Sequence, residues 1–288
     1  MINNSGLNAG TISGRWIGNS MINSRLQKMI MIIAGVLLAI AATGCGDQQP
    51  ASGRPTAGTS ASAVTGKITV LAAASLTESF STIGKNFEQA HPGSTVTFSF
   101  GSSATLATEV NQGAPADVLA TADERTMKLV TDAGNASAKP AIFATNTLEI
   151  AVPAGNPGHV TGLADFADPK YKTALCAKEV PCGAAAQKVF ADAKITPKPV
   201  SYETDVKAAL QKVEQNEVDA ALVYKTDVAA AGDKVHGIDF PEASSVVNQY
   251  PLVALKDAKN PDGAAAFVAY VRSAAGQQVL QAAGFGKP

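Results

Sequence analysis

The sequence predicts an α/β fold, and three observations support this prediction. From residue 67 onward, short runs of apolar, often β-branched residues alternate with amphipathic helical patterns. Gly and Pro residues separate the two kinds of segment, as in the stretch His91-Pro92-Gly93. The chain has 288 residues, of which 46% are hydrophobic, enough for one or two domains with a sizeable core. Strands that are separated by helices favour parallel sheets.

The segments follow one another in a regular order. Period-two or continuous apolar runs mark the strands, and apolar residues three or four positions apart mark the helices. The predicted strands are 68–73, 95–100, 118–121, 141–152, 173–176, 200–202, 220–224 and 246–254. The predicted helices are 76–90, 104–112, 125–133, 183–193, 206–215 and 262–283.

Two extended apolar segments interrupt this alternation. Residues 147–153 and 250–255 are bracketed by turn residues and lack a helix before the next strand. We interpret them as two crossings between two α/β lobes, which would be discontinuous in sequence. The first lobe would comprise 67–145 plus 253–288, and the second 146–252. A single larger sheet is the alternative that the pattern leaves open.

The N-terminus has the features of an export signal. Basic residues precede the apolar run 29–42, which is short for a bilayer span and has the length of a signal-peptide core. The run ends in Ala42-Thr43-Gly44-Cys45, where small residues directly precede a cysteine, as at the bacterial lipoprotein processing site. We predict a lipoprotein signal peptide at 1–44 with Cys45 lipidated. An ordinary signal peptide with an incidental cysteine is the alternative.

The segment after Cys45 indicates the cellular compartment of the folded part. Residues 45–66 are rich in Gly, Ser, Ala, Thr and Pro, so we expect a flexible tether. The folded part would then lie at the outer face of the cytoplasmic membrane, attached only through its lipid. In that oxidising compartment, Cys176 and Cys182 are candidates for a disulfide across a short loop. Two free buried thiols are the alternative.

Composition and motifs argue against several functions. The chain carries 23 basic and 24 acidic residues, without the basic stripe that nucleic-acid binding requires. Its three histidines are far apart, and no metal-ligand spacing, nucleophile elbow or phosphate-binding glycine loop occurs. We therefore expect no enzyme. A secreted enzyme whose residues converge only in the fold is the alternative.

Small and hydroxyl residues open four of the helices. Ser75 with Glu78 has the form of a capping box, and Thr204 or Asp205 would cap the helix 206–215. Helix starts carry free N–H groups that attract anions, and in α/β proteins they lie at the ligand-binding edge of the sheet. Two facing lobes would bring these ends together around a small dianion. The four junctions are 74–75, 100–105, 181–184 and 203–207.

Several motifs, in order, resemble the periplasmic molybdate-binding proteins. They are ITVLAAASLT at 68–77, FGSSATLA at 100–107, GAPADV at 113–118, VPCG at 180–183, DVKAAL at 205–210, LVY at 222–224, YPL at 250–252 and GF at 284–285. The resemblance covers essentially all of 67–288. It implies a two-lobed periplasmic-binding-protein fold of type II, with molybdate, and usually tungstate, bound in the cleft between the lobes and passed to an ABC importer permease.

The resemblance also implies the residues that would hold this metal oxyanion. Ser75 and Ser103 would supply hydroxyl and backbone N–H donors, Cys182 and Val206 backbone N–H groups, and Tyr224 its phenol. Ser102 is the nearest rival of Ser103. Cys182 stands where the family often has alanine. Its backbone N–H can still fill the family's role, because that role does not depend on the side chain.

The resemblance implies no cofactor besides the ligand, and we expect a monomer. The nearest alternative function is a receptor of the same fold for sulfate, phosphate or another small solute. A structural lipoprotein without a ligand is a further alternative.

Overall fold

The computed structural model describes residues 64–288. The predicted signal peptide, Cys45 and most of the predicted tether lie outside the described residues. The described strands are β1 (Gly66–Ala73), β2 (Ser94–Gly101), β3 (Val118–Ala120), β4 (Ala141–Asn146), β5 (Leu148–Pro153), β6 (Thr173–Cys176), β7 (Ser201–Glu203), β8 (Ala220–Tyr224), β9 (Val235–Ile238) and β10 (Asn248–Ala254). The α-helices are α1 (Thr77–Ala90), α2 (Ser103–Asn111), α3 (Glu124–Asp132), α4 (Pro181–Asp192), α5 (Val206–Glu214), α6 (Lys225–Ala231), α7 (Pro261–Arg272) and α8 (Ala274–Ala282).

The strands form two separate five-stranded sheets. Their orders are β2-β1-β3-β10-β4 in the sheet of the first lobe and β7-β6-β8-β5-β9 in the sheet of the second lobe. The predicted α/β class with two lobes is therefore confirmed, and a single large sheet is excluded. The pairings of β1 with β2 and β3, and of β6 with β7 and β8, are parallel, as predicted.

Two strands depart from the predicted parallel arrangement. In its sheet, β10 is antiparallel to both β3 and β4, and β5 is antiparallel to both β8 and β9. Each is the first strand that the chain forms after it passes from one sheet to the other.

The two crossings between the lobes are hydrogen-bonded to each other. Asn146 at the end of β4 pairs with Asn248 at the start of β10. The predicted strand 141–152 is two strands, because the chain leaves the first sheet after Asn146 and joins the second at Leu148. Because β10 pairs with β3 and β4, residues 248–254 belong to the first sheet. This favours a return of the chain to the first lobe earlier than the predicted boundary at 252/253.

Other elements also differ from the prediction. The predicted helix 262–283 is two helices, because Ser273 leaves the helical conformation and its Oγ accepts the N–H of Gly276 at 3.4 Å. The sequence analysis missed α6 and β9. The helix α6 follows β8 without a loop, and β9 is a four-residue strand that contains a histidine and a glycine.

Aromatic packing fixes the position of α1 on the first sheet. Phe80 and Phe87 are fully buried, and their ring centroids lie 6.1 and 5.4 Å from that of Phe267 in α7. Burying side chains of this size contributes roughly 1.5–3 kcal/mol each. The turn between β1 and α1 is thereby held in place. Within residues 64–288, no helix is both long and apolar enough to cross a membrane.

Candidate anion-binding site

A small cavity lies between the two lobes, where the ends of strands meet the starts of helices. Its volume, measured for the centre of a water-sized sphere, is about 20 Å3, whereas one water needs roughly 10–15 Å3. The cavity therefore suits a compact ligand. The lining residues are Ala73, Ala74, Ser75, Gly101, Ser102, Ser103 and Ala122 of the first lobe, and Val180, Pro181, Cys182, Asp205, Val206 and Tyr224 of the second. All five predicted site residues, and Ser102, are among them.

Ser75 lies in the short 3-10 turn Ala74–Leu76 that joins β1 to α1, and it is 5% exposed. Its Oγ is hydrogen-bonded to Oη of Tyr250 at 3.0 Å. The predicted capping box with Glu78 is wrong, since neither the turn nor α1 has a side-chain cap. The buried phenol of Tyr250 competes for the Ser75 hydroxyl, and Glu78 instead contacts Lys207 of the second lobe.

Two serines mark the start of α2. The Oγ of Ser103 accepts the N–H of Ala122, the residue that follows β3 by two positions, at 3.0 Å. Ser102 is the N-cap residue of α2, but its hydroxyl makes no cap bond. Its Oγ is buried and has no hydrogen-bond partner within the described chain. Both serines line the cavity. Each therefore remains a candidate for the ligand contact that the sequence assigned to Ser103, with Ser102 as its alternative.

Two helix starts of the second lobe contribute backbone N–H groups. Pro181 is the first residue of α4 and has no N–H, so Cys182 carries the first amide of this uncapped helix. In α5, Oδ1 of Asp205 accepts the N–H groups of Lys207 and Ala208 at 2.9 and 3.0 Å. This confirms Asp205, rather than Thr204, as the cap. Val206 is the first residue of α5 and lines the cavity, and as the first N–H of a helix its amide has no partner within the helix.

A disulfide joins Cys176 at the end of β6 to Cys182 in α4. The alternative of two free thiols is therefore excluded. The bond closes the loop that leads into the start of α4. At the next position, a Cβ on Gly183 would collide with the carbonyl oxygen of Ala177. Only glycine lets the helix start pack this closely against the end of β6.

Tyr224 ends β8 and is 1% exposed. Its Oη lies 3.0 Å from Nδ2 of Asn248, whose amide also donates to the carbonyl oxygen of Ala122 at 2.8 Å. Burial raises the pKa of the Tyr224 phenol well above its usual value, with nearby Tyr250 and carboxylates adding to the shift. The phenol therefore keeps its proton and can donate it.

The sequence analysis missed the residues behind the cavity wall. Asn146, Asn248 and Tyr250 all lie on the crossing strands and are buried. The available signal was that an asparagine lies shortly before each predicted crossing, Asn146 one position before 147 and Asn248 two positions before 250. Ala122 carried no such signal, because it acts through its backbone.

The cavity wall is uncharged apart from one carboxylate. Among residues 64–288, no Lys, Arg or His lines the cavity, and the one lining carboxylate, Asp205, has Oδ1 bonded to helix amides. The same residues contain no cluster of His, Cys, Asp and Glu that could hold a metal ion. The arrangement can thus offer hydroxyl and N–H donors to a compact anion.

A lysine lies just outside this wall and joins the lobes. Nζ of Lys207 is 3.0 Å from Glu78 of the first lobe and 3.2 Å from Asp227 of the second. Burial lowers the pKa of Lys207, but the two carboxylates outweigh this and raise it. Burial raises the pKa of Asp227 to about 6 against the opposing effect of Lys207.

Two α/β lobes that are joined by paired crossing strands, with a small polar cavity between them, define a solute-binding protein. The chain belongs to the bacterial extracellular solute-binding protein family, whose pattern it matches over residues 68–286. This confirms the predicted type II fold.

Known relatives agree with this assignment. The chain is 40% identical over 276 residues to the molybdate-binding protein ModA of Mycobacterium tuberculosis, covering 95% of this chain and 100% of that protein. It is 32% identical to the putative ABC transporter substrate-binding lipoprotein YvgL of Bacillus subtilis, covering 90% and 98% of the two chains. The structure of the Azotobacter vinelandii periplasmic molybdate-binding protein matches with a TM-score of 0.67 at 19% identity, over 77% of this chain and 99% of that one; this likeness concerns the fold.

Proposed function

We propose that this chain captures molybdate, and tungstate with it, outside the cytoplasmic membrane and delivers the anion to an ABC importer. The observation that carries this proposal is the cavity of about 20 Å3 that both lobes line with hydroxyls and helix N–H groups. A 40% identical relative that is a molybdate-binding protein supports the choice of ligand.

Five residues would hold the anion. Their donors are the hydroxyls and backbone N–H groups of Ser75 and Ser103, the phenol of Tyr224 and the backbone N–H groups of Cys182 and Val206, with Ser102 sharing the contact of Ser103. A hydrogen bond to a charged group contributes roughly 1.5–3 kcal/mol. Six or seven such bonds give a gross figure on the order of 10–20 kcal/mol before desolvation and closure are subtracted. A cationic side chain is therefore unnecessary for tight binding.

The same donors give a basis for selectivity. Hydrogen phosphate would bring its own O–H donor against a wall of donors, whereas molybdate, tungstate and sulfate are fully deprotonated. Sulfate is smaller, so donors that are fixed by two lobes would contact it incompletely. No cofactor and no catalytic activity belong to this proposal, because the wall presents donors rather than a nucleophile with its base.

Isothermal titration calorimetry with molybdate, tungstate, sulfate and phosphate tests the proposal. We expect tight binding of molybdate and tungstate and much weaker binding of the other two anions. Tight binding of sulfate or phosphate without a response to molybdate would instead support the receptor of the same fold for another solute.

The proposal includes a lipid anchor at Cys45, a tether at 45–66 and a monomeric receptor at the outer face of the membrane. The small residues before Cys45 support the anchor, and a 32% identical relative is a putative lipoprotein. Mass analysis of protein extracted from membranes tests it. We expect a lipid-modified N-terminal Cys45, and a Cys45→Ala variant should lose the lipid. An unmodified mature terminus elsewhere would contradict the anchor.

A further inference from the structure

Each of three hydroxyls at the cavity wall has a hydrogen-bonding group directly behind it. The Oγ of Ser103 is backed by the N–H of Ala122, and Oη of Tyr224 by Nδ2 of Asn248. The Oγ of Ser75 is backed by Oη of Tyr250. A hydroxyl has one proton and two lone pairs, so a hydroxyl that accepts from behind keeps its own proton free for the cavity. The direction of these three bonds therefore decides what the cavity can bind.

Backbone groups fix the direction of the bond at Tyr224. A carbonyl oxygen accepts but never donates, so the side-chain atom of Asn248 that lies 2.8 Å from the carbonyl oxygen of Ala122 must be the amide nitrogen. The second proton of that nitrogen points at Oη of Tyr224, 3.0 Å away. Tyr224 must accept this proton, so its own proton is left to donate elsewhere, and the cavity that Tyr224 lines is one place where it can find an acceptor.

At Ser75 the hydrogen-bond direction is argued through Tyr250, which lies between Ser75 and Asn146. The N–H of Thr147 donates to Oδ1 of Asn146 at 3.0 Å, which turns the amide nitrogen of Asn146 toward Thr226 and Tyr250. That nitrogen lies 2.8 Å from Oγ1 of Thr226 and 3.5 Å from Oη of Tyr250. The bond between Oη of Tyr250 and Oγ of Ser75 allows either hydroxyl to donate, and an amide donor facing Oη favours the direction in which Tyr250 donates to Ser75. The proton of Ser75 is then free for the cavity.

We propose that Tyr250, Asn146 and Asn248 are positioning residues that make Ser75 and Tyr224 donate into the cavity, and that they thereby set its preference for a fully deprotonated oxyanion. All three lie on the strands that connect the lobes, so the hydroxyls of both lobes are oriented from the crossing itself. The inference rests on the proposed function, since it concerns the same cavity.

A double-mutant cycle on molybdate affinity tests the role of Tyr250. Calorimetry gives Kd for the wild type, Tyr250→Phe, Ser75→Ala and the double variant. Tyr250→Phe should weaken binding about tenfold in the wild type but less than about twofold beside Ser75→Ala, because Tyr250 acts through Ser75. Equal weakening in both backgrounds would mean a general structural role and would overturn the inference.

A second cycle pairs Asn248→Ala with Tyr224→Phe, and Asn248→Ala should likewise lose its effect on Kd beside Tyr224→Phe. If Asn248→Ala fails to fold, as judged by circular dichroism, the first cycle decides alone. The matched control is Tyr171→Phe, since Tyr171 donates to the carbonyl oxygen of His159 at 3.4 Å and is not among the residues that line the cavity. It should leave Kd unchanged.

The two proposals fail in different ways. A wild-type chain that does not bind molybdate would overturn the proposed function. A wild-type chain that binds molybdate, with additive effects in the Tyr250 cycle, would leave the function standing and overturn the positioning role.

Discussion

Ser75 and Tyr224 approach the cavity from opposite lobes, each with a hydroxyl that is held from behind. Ser75→Ala and Tyr224→Phe should each weaken molybdate binding by about 1–3 kcal/mol, because each removes one donor to a charged ligand. Isothermal titration calorimetry measures this directly.

The matched control for the serine is Ser81→Ala in α1. The Oγ of Ser81 donates to the carbonyl oxygen of Thr77 at 2.6 Å, and Ser81 is not a cavity residue. We expect the Ser81→Ala variant to bind molybdate with the same affinity as the wild type. If both Ser75→Ala and Tyr224→Phe also bound molybdate with unchanged affinity, these residues would not form the site.

Asp227 gives the free energy of unfolding a dependence on pH. Its pKa is about 6 in the folded chain against an ordinary value of 3.8, so the folded state holds this proton more tightly than the unfolded state. The contribution of Asp227 to stability therefore decreases as the pH rises from about 4 to about 6. Asp227→Asn should remove this decrease, as measured by urea unfolding across that range. An unchanged pH dependence in the variant would contradict the assignment.

Local sequence revealed part of the chemistry of single residues. It identified the hydroxyls and helix starts, and it identified Asp205 as a possible cap, because caps involve neighbours in sequence. It misassigned the hydroxyl of Ser75, whose partner Tyr250 is 175 positions away. No local pattern encodes such a contact. The three crossing-strand residues behind the wall were missed for the same reason.

At the scale of elements, Lys207 links α5 of the second lobe to α1 of the first through Glu78. Lys207→Met keeps most of the side-chain length but removes the charge. We expect weaker molybdate binding, by about 1 kcal/mol, because the ion pair holds the lobes together beside the cavity. Calorimetry at low ionic strength measures the effect, which added salt should reduce.

Lys212→Met is the control for this prediction. Lys212 lies in the same helix, and its ion pair with Glu217 at 2.6 Å stays within the second lobe. This variant should bind molybdate as the wild type does. Equal affinity for the two lysine variants would show that the contact between the lobes does not contribute.

The disulfide constrains the start of α4, where Cys182 offers its N–H. Replacing both Cys176 and Cys182 by alanine keeps this N–H, and we expect a stability loss of about 2 kcal/mol for such a short loop, with weaker binding. Wild-type protein reduced with dithiothreitol should behave in the same way in unfolding and titration experiments. If only the alanine variant lost binding, the sulfur itself would be a ligand contact.

Sequence patterns predicted long elements better than short ones. The alternation of strands and helices emerged from hydrophobic periodicity, which a helix such as α1 repeats several times. The short α6 and β9 offer too few repeats for this signal. The break between α7 and α8 depends on Ser273 taking an extended conformation where the sequence permits helix on both sides.

At the scale of the whole molecule, the cavity is shared by both lobes, so a ligand in it binds a surface that exists only when both are folded. Molybdate at a hundredfold excess over Kd should therefore raise the free energy of unfolding by about 2.7 kcal/mol. Urea unfolding with and without molybdate measures this. The double variant Ser75→Ala/Tyr224→Phe should show a much smaller increase, and an equal increase with sulfate would contradict the selectivity.

The arrangement of the two lobes was predictable only in outline. Two helix-free apolar segments indicated two crossings, because a continuous α/β sheet would have needed a helix there. The antiparallel direction of β5 and β10 and the pairing of Asn146 with Asn248 were not predictable, since they depend on how the lobes meet. The cavity between the lobes also depends on how they pack against each other.

The contacts that connect the lobes have a kinetic consequence. Besides the ion pair of Lys207 with Glu78, Nη2 of Arg125 in the first lobe donates to the carbonyl oxygen of Glu179 in the second at 2.7 Å. Glu179 precedes the cavity residue Val180, and Lys207 follows the cavity residue Val206. Both contacts must break before the lobes separate and release a bound anion. An anion that enters the open cleft does not have to break them. They should therefore lengthen the residence time of the anion more than they change its rate of entry.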